Sequence, residues 1–96
     1  MTSKQRAYLR SLANKIDAIF QIGKNGLNDN LIKQLNDALE ARELIKITVL
    51  ETAPDSAKNL AFEISEKTSS LVIQVLGSKI TLFRQKEKDS KIQFPY

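Results

Sequence analysis

The sequence lacks the two residue types on which most catalytic and metal sites depend. Its 96 residues include no cysteine and no histidine. Without cysteine there can be no disulfide framework, thiol nucleophile or thiolate metal site. Without histidine the commonest general base and metal ligand is missing, so a serine triad and a histidine-bound zinc are excluded. We therefore expect a protein that is not an enzyme, with no cofactor, no metal and no small-molecule substrate.

Glycine and long apolar runs are also scarce. With three glycines in the chain, neither Gly-x-Gly-x-x-Gly nor Gly-x-x-x-x-Gly-Lys-Ser/Thr occurs, which disfavours ATP or NAD chemistry. The longest apolar runs are far shorter than the ~20 residues that a membrane span requires, and no signal peptide opens the chain. These absences predict a soluble cytoplasmic protein that does not bind a membrane.

What the chain does contain is typical of one globular domain. Hydrophobic residues make up 42% and charged residues 27%, close to the averages for folded proteins. A chain of this size can bury one core but not two. We expect a single domain over residues 1–84, followed by a polar extension over residues 85–96 that Ile92, Phe94 and Tyr96 bring back against the body. Nothing in the sequence demands more than a monomer.

The net charge of +4 is unevenly distributed along the chain. Residues 1–28 hold five cations and one anion, residues 29–66 hold four cations and eight anions, and residues 67–96 hold six cations and two anions. Both ends are therefore basic and the middle is acidic. If the ends meet in the fold, one face is far more positive than the total suggests.

Apolar spacing predicts three helices and four strands in the order αβαβαββ. Thr2 and Gln5 form a candidate capping box for the first helix, Asn28 or Asp29 caps the second, and Pro54 suits the first turn of the third. The result is an α/β two-layer sandwich with three helices on a mixed four-stranded sheet. The predicted strands cover residues 18–22, 43–50, 71–76 and 80–84, the last two forming a hairpin.

A glycine loop between the first strand and the second helix is the one motif with evident chemistry. Gly23 and Gly26 let another backbone approach closely, Lys24 adds a mobile cation, and Asn25 adds both a donor and an acceptor. The helix that follows offers unpaired N–H groups and a dipole that favours an anion. Gly-x-x-Gly alone most often serves turn geometry, but its place between a strand and a helix in a basic block favours phosphate binding.

Further cations cluster on the first helix and in the terminal block. A solvated helix face is the ordinary interpretation, but the sequence of the first helix contains no acidic residue among its cations, a pattern that favours phosphate binding. Lys46, by contrast, is interpreted as a partner of Glu43 or Glu51. The candidate RNA contacts outside the loop are Lys4, Arg6, Arg10, Lys15 and Arg84.

Together, six short stretches resemble the CRM (chloroplast RNA splicing and ribosome maturation) domain family, in its stand-alone bacterial YhbY type. The likeness runs from about residue 2 to residue 84, with Phe83-Arg84 standing where the family has Tyr-Arg, so that a ring hydroxyl is missing. The stretches are Ser3-Lys4-Gln5-Arg6 with Leu9-Arg10-Ser11-Leu12-Ala13, Gln21-Ile22-Gly23-Lys24-Asn25-Gly26-Leu27, Glu43-Leu44-Ile45-Lys46, Leu76-Gly77, and Leu82-Phe83-Arg84.

The resemblance implies a fold like the C-terminal domain of bacterial translation initiation factor three. It also implies binding to structured RNA and association with precursors of the large ribosomal subunit. Two other classes of function stay open on the residues alone. One is a protein-interaction module whose basic face binds an acidic partner, and the other is a small basic DNA-binding protein. The absence of interleaved surface aromatics favours recognition of backbone and shape with low sequence specificity.

Overall fold

The computed structural model describes residues 1–95 and has three helices and a mixed four-stranded sheet. The α/β class and the order αβαβαββ are confirmed. The elements are α1 (Ser3–Ala13), β1 (Phe20–Ile22), α2 (Asp29–Arg42), β2 (Leu44–Val49), α3 (Ala57–Thr68), β3 (Leu71–Leu76) and β4 (Lys79–Phe83). No helix among the described residues has both the length and the apolar character needed to cross a bilayer.

Short polar side chains begin each helix. The predicted capping box of α1 is present, since Thr2 Oγ1 accepts from the backbone of Gln5 at 3.1 Å and the Gln5 side chain accepts from Thr2 N at 3.0 Å. Asn28, one of the two predicted caps, starts α2. The third helix begins after Ser56, so the prediction that Pro54 lies in its first turn is wrong. A polar cap two residues later satisfies the first N–H groups of α3 better than Pro54 can.

The first strand is shorter than its apolar run. The strand Phe20–Ile22 pairs with β2, in parallel and in register with Ile47, Thr48 and Val49, and Ile19 N adds one hydrogen bond to Lys46 O before it begins. Ile19, which the sequence placed in this strand, is 43% exposed. An apolar run in the sequence does not show where pairing with β2 begins. The predicted start of the first strand at residue 18 is therefore two residues too early.

The sheet order is β1-β2-β4-β3, with β1 parallel to β2 and the other pairs antiparallel. Alternation along each strand sends its side chains to opposite faces. Ile45, Ile47 and Val49 of β2 point into the larger core beneath α2 and α3, together with Ile80 and Leu82 of β4. Two helices therefore cover one face of the sheet, as a two-layer sandwich requires.

The first helix lies on the other face and adds a partial third layer. Its buried residues Leu9 and Ala13 form a second, smaller core with Leu44, Ile73 and Phe83, so the expectation that a chain of this size buries only one core is wrong. Ile92 and Phe94 of the extension pack against this cluster. The Phe94 ring lies 5.9 Å from Phe83 and 6.0 Å from Tyr8. Tyr96, the third apolar residue of the predicted extension, lies outside the described residues.

Glu43 anchors the extension to the body. Its side chain is fully buried, and its carboxylate accepts hydrogen bonds from Lys86 N at 2.8 Å, Ser90 Oγ at 2.8 Å, Ile92 N at 3.0 Å, and Lys91 N. Burial by itself would raise the pKa of this carboxyl, but the four donors outweigh it and hold the pKa below its ordinary value. The prediction that Glu43 opens the second strand is wrong, because it ends α2 with φ at +68°.

Candidate nucleic-acid interface

The glycine loop forms a tight turn at the end of β1. Gly26 N donates to Gly23 O at 2.9 Å, and Gly26 has φ of +61°. Lys24 and Asn25 stand at the tip of the turn and are exposed. Within the described residues, their backbone N–H groups have no partner. The loop therefore presents two free backbone donors beside one cation, an arrangement that suits a phosphate oxygen.

The two glycines of the loop are not equivalent, and we expect substitution to separate them. A Cβ at Gly26 would lie 2.9 Å from Pro54 Cγ, and its φ is one that side chains disfavour, whereas a Cβ at Gly23 would meet only ordinary contacts at 3.6 Å. Gly26→Ala should lower the free energy of unfolding by about 1–2 kcal/mol. Gly23→Ala should leave it nearly unchanged. Urea denaturation of both variants checks this, and equal losses would contradict it.

The second helix contributes less to the site than its position suggests. Asn28 Oδ1 accepts from Leu31 N at 2.8 Å, and the Asp29 carboxylate lies in the first turn. Asn28 thus satisfies one N–H group of the first turn, and the Asp29 carboxylate adds a negative charge there. Among residues 1–95 the backbone N–H groups of Asp29 and Asn30 have no partner, so the expectation that this helix start offers donors to an anion stays a prediction.

Charge is separated between the two faces of the sheet. The four strands contain Lys46 and Lys79 and no acidic residue, and both lysines point away from the larger core. The first helix, on that same face, contains three cations and no anion. All acidic residues of the helices belong to α2 and α3 on the opposite face. Among the residues of helices and strands, one face is therefore cationic and the other mixed, while the acidic residues Asp17, Glu87 and Asp89 lie outside these elements.

The loop between β2 and α3 is an exception to this pattern. Its Pro54 packs against Gly26, and Asp55 follows directly. Hydrogen bonds from the Asn59 side chain and from Ser56 N lower the pKa of this exposed carboxyl. Asp55 therefore stays charged at neutral pH and bounds the cationic area on that side.

Of the predicted contacts on the first helix, Arg6 has a structural role. Its Nη1 donates to Val72 O at 2.8 Å and to Ile73 O at 3.2 Å. These carbonyls belong to the edge strand, at the register shift between Val72 and Gln74. Arg6 thus ties the first helix to the edge strand at the point where its pairing with β4 is irregular. Lys4 and Lys15 are exposed and Arg10 is half-buried.

Arg84 lies apart from the cationic face. Its guanidinium donates to Asn36 Oδ1 at 2.8 Å, Asn36 O at 3.0 Å and Thr68 O at 2.7 Å, and Nη2 lies 3.6 Å from a Glu40 carboxylate oxygen. It therefore joins α2 to the end of α3. The sequence grouped Arg84 with the RNA contacts because of its basic surroundings, whereas the structure directs it to the opposite side.

Sequence reasoning overlooked Lys46 and Lys79 as part of the site. Lys46 was expected to pair with an acidic neighbour, but Glu43 is buried against the extension, and among residues 1–95 the only ion pair joins Arg84 to Glu40. The signal was available in the strand pattern, because Lys46 alternates with Ile45 and Ile47. Period-two alternation places such a lysine on the face opposite the core.

The fold and the site define a small α/β domain with one cationic face and an exposed glycine loop at the end of a strand. Such an arrangement is suited to holding a polyanionic backbone. The chain belongs to the CRS1 / YhbY (CRM) domain family, whose model matches residues 1–84. The resemblance drawn from the sequence motifs is thereby confirmed.

Similar proteins carry names that point to RNA. The chain is 40% identical over 95 residues to the "Probable RNA-binding protein YqeI" of Bacillus subtilis, covering 99% of both chains. It is 28% identical over 95 residues to the "RNA-binding protein" of Haemophilus influenzae, covering 99% of this chain and 95% of that one. The solution structure of protein SAV1595 from Staphylococcus aureus matches with a TM-score of 0.81, 52% identity and 99% coverage of both chains.

Proposed function

We propose that this protein binds structured RNA, specifically ribosomal RNA in precursors of the large ribosomal subunit, as a cytoplasmic, non-enzymatic monomer. The observation that carries the proposal is the separation of charge across the sheet, with the glycine loop at one end of the cationic face. The names of the relatives support RNA as the ligand. The ribosomal assignment rests on the family resemblance.

The loop and the cationic face supply complementary kinds of contact. Backbone N–H groups of Lys24 and Asn25 fix a phosphate at a defined place, and the Lys24 ammonium adds charge. The lysines and arginines around them act over a longer range and attract RNA irrespective of sequence. Binding should therefore depend on RNA shape and on salt more than on base identity.

The loop is tested by replacing Lys24 and Asn25 together with aspartate. Both side chains are exposed, so the fold should persist, while the two carboxylates repel phosphate. We expect affinity for a ribosomal RNA fragment to fall about tenfold or more at 0.1 M salt, since one phosphate contact contributes roughly that much. Fluorescence anisotropy measures the affinity, and the salt dependence should become less steep.

The matched control is Lys58→Asp with Lys67→Gln, which lowers the net charge by the same amount on α3, away from the cationic face. It should bind RNA nearly as well as the unmodified protein. If both double variants lose affinity equally, net charge alone explains binding and the loop has no special role. A flat salt curve for the unmodified protein would instead favour an acidic protein partner, and tighter binding to DNA would favour the DNA-binding alternative.

The ribosomal assignment has a separate test. Tagged protein from bacterial lysate, sedimented through a sucrose gradient, should be enriched with immature large subunits. The loop variant should shift toward the top of the gradient, because it retains the fold but loses the RNA contact. Migration of the unmodified protein as a free monomer, or with mature ribosomes only, would overturn this part of the proposal.

A further inference from the structure

The first helix covers only one end of its sheet face. It packs against Leu44, Ile73 and Phe83, where β2 and β3 begin and β4 ends. The opposite end of that face, beside the glycine loop, has no helix over it. The register shows which side chains occupy this end, and none of them is among the residues that the sequence assigned to RNA.

Strand pairing places Gln21, Thr48 and Lys79 in one row across β1, β2 and β4. Gln21 lies between the core residues Phe20 and Ile22, and Lys79 precedes the core residue Ile80, so this row points away from the larger core. Gln21 and Lys79 are exposed and Thr48 is half-buried. The row is therefore accessible to a ligand along its length.

A second cation lies one row closer to α1. Lys46 is half-buried on the same face and is paired in register with Thr81. Its stem packs along the sheet, which leaves the ammonium group for solvent or a ligand. In the part of the chain that the structure describes, neither Lys46 nor Lys79 forms an ion pair.

The position of Lys79 is fixed by a neighbour rather than by an anion. Its Nζ donates to Thr48 Oγ1 at 2.7 Å. A hydroxyl partner orients the ammonium without neutralising it, and two of its three protons remain for other acceptors. This is a charge held in place on the sheet and still able to bind a phosphate oxygen.

This row is continuous with the glycine loop. Gln21 lies two residues before Gly23 in the chain, and in the sheet it lies beside Thr48. It also lines, with Lys24 and Asn25, a shallow depression at the edge of the sheet that the start of α2 borders on its other side. A strip defined by Lys24, Gln21, Thr48, Lys79 and Lys46 thus leads from the loop onto the sheet. The strip itself contains no acidic residue, and the exposed Glu51 lies at its edge, between Leu50 and Thr52 beside Gly23.

The strip offers no aromatic surface for unpaired bases. Phe20 packs on the larger core, Phe83 is buried in the smaller one, and Phe94 packs on Tyr8 and Phe83. Phe62 is exposed but belongs to α3 on the other face. Four-stranded sheets that bind single-stranded RNA stack bases on aromatic side chains. Among residues 1–95, this end of the sheet presents amides, hydroxyls and ammonium groups, together with the exposed aliphatic side chain of Leu76, which pairs with Lys79.

We propose that Gln21, Lys46, Thr48 and Lys79 extend the RNA contact onto the open end of the sheet, where they bind the sugar-phosphate backbone of an RNA duplex. The inference rests on the proposed function and specifies its ligand as double-stranded. The groups on the strip match 2′-hydroxyls and phosphates, which are what a duplex displays on its surface.

The test compares Lys46→Gln/Lys79→Gln with the control Lys58→Gln/Lys67→Gln on α3. The probes are a 20-base-pair RNA duplex and each of its strands alone. At 0.1 M salt the strip variant should bind the duplex about tenfold or more weakly than the unmodified protein, and the slope of log affinity against log salt should fall by about one to two. The control should change neither, and thermal denaturation should show all variants folded.

The outcomes separate this inference from the proposed function. If the unmodified protein binds the duplex and the strip variant matches the control, the sheet contact is overturned while RNA binding stands. If single strands bind as tightly as the duplex, the double-stranded assignment is overturned. If the unmodified protein binds no RNA in either form, both the inference and the proposed function fail.

Discussion

Replacing Glu43 with alanine should lower the free energy of unfolding by about 3 kcal/mol, since three backbone N–H groups and one hydroxyl lose a charged acceptor. Substitutions at exposed positions, by contrast, usually change stability by less than about 0.5 kcal/mol. Urea denaturation followed by circular dichroism measures the loss.

The matched control is Glu40→Ala, because Glu40 is a carboxylate near the end of the same helix but its side chain is 70% exposed. Its ion pair with Arg84 is long and solvated, so the loss should stay below about 1 kcal/mol. Glu43→Gln keeps the size of the side chain but replaces one acceptor oxygen with a donor. Its loss of stability should lie between those of Glu40→Ala and Glu43→Ala. Equal effects at Glu40 and Glu43 would show that the extension is not anchored through Glu43.

Because the pKa of Glu43 is lowered in the folded protein, the stability that its hydrogen bonds provide depends on pH. A carboxyl whose pKa is lower in the folded than in the unfolded protein stabilises the fold above its unfolded pKa, ordinarily about 4.3. That stabilisation is lost as the pH falls through the folded value. The difference in stability between the unmodified protein and Glu43→Gln should therefore be largest near neutral pH and shrink below about pH 4. A difference that grows on acidification would contradict the direction of the pKa shift.

Glu43 also shows why part of this fold could be predicted from sequence and part could not. The capping box of Thr2 and Gln5 and the helical apolar stripes act over a few residues, so local patterns were enough. The residue that ends a helix with positive φ is commonly glycine or asparagine. Here it is a glutamate whose partners lie 43 to 49 positions away in the sequence. A glutamate beside a β-branched run therefore looked like the start of a strand.

Part of the candidate site could likewise be predicted from the sequence, and part could not. Composition and block charges predicted that a basic surface exists, and the glycine loop was recognisable as a motif. Which cations share a face depends on register and on the side that each helix covers. Arg84 was selected because its block is basic, yet it joins two helices on the opposite face. Lys79 was passed over, although pairing with Thr48 places it in line with Gln21 beside the loop.

Removing residues 85–96 should destabilise the remaining chain at least as much as Glu43→Ala. The truncated chain keeps every helix and strand, and it ends where the family match ends. It nevertheless loses the packing of Ile92 and Phe94 on the smaller core and leaves Glu43 without its donors. Since ordering the extension has an entropic cost, the net loss is smaller than the sum of these contacts, and we expect about 3–4 kcal/mol.

Phe94→Ala provides a milder variant in case the truncated protein does not fold. It removes the ring contacts with Tyr8 and Phe83 but keeps the hydrogen bonds to Glu43. The loss should be about 1–2 kcal/mol, because the ring is only half-buried. A truncated chain as stable as the full one would show that residues 1–84 are a self-sufficient domain, as the sequence suggested.

The losses of stability caused by Glu43→Ala and by removing residues 85–96 should not be additive. This non-additivity is the most direct test of whether Glu43 holds the extension. When Glu43 is replaced, the extension can detach and expose its N–H groups to water, so the loss cannot exceed the net stabilisation that the extension provides. Glu43→Ala in the truncated chain should then cost little, and the coupling between the two changes should be about as large as the effect of Glu43→Ala alone. Trypsin gives an independent measure, because detachment frees the backbone around Lys86, Lys88 and Lys91 from its hydrogen bonds to Glu43, so that the protease can bind and cleave it before the body unfolds. Additive losses, or cleavage no faster in Glu43→Ala than in Glu40→Ala, would mean that apolar packing holds the extension without Glu43.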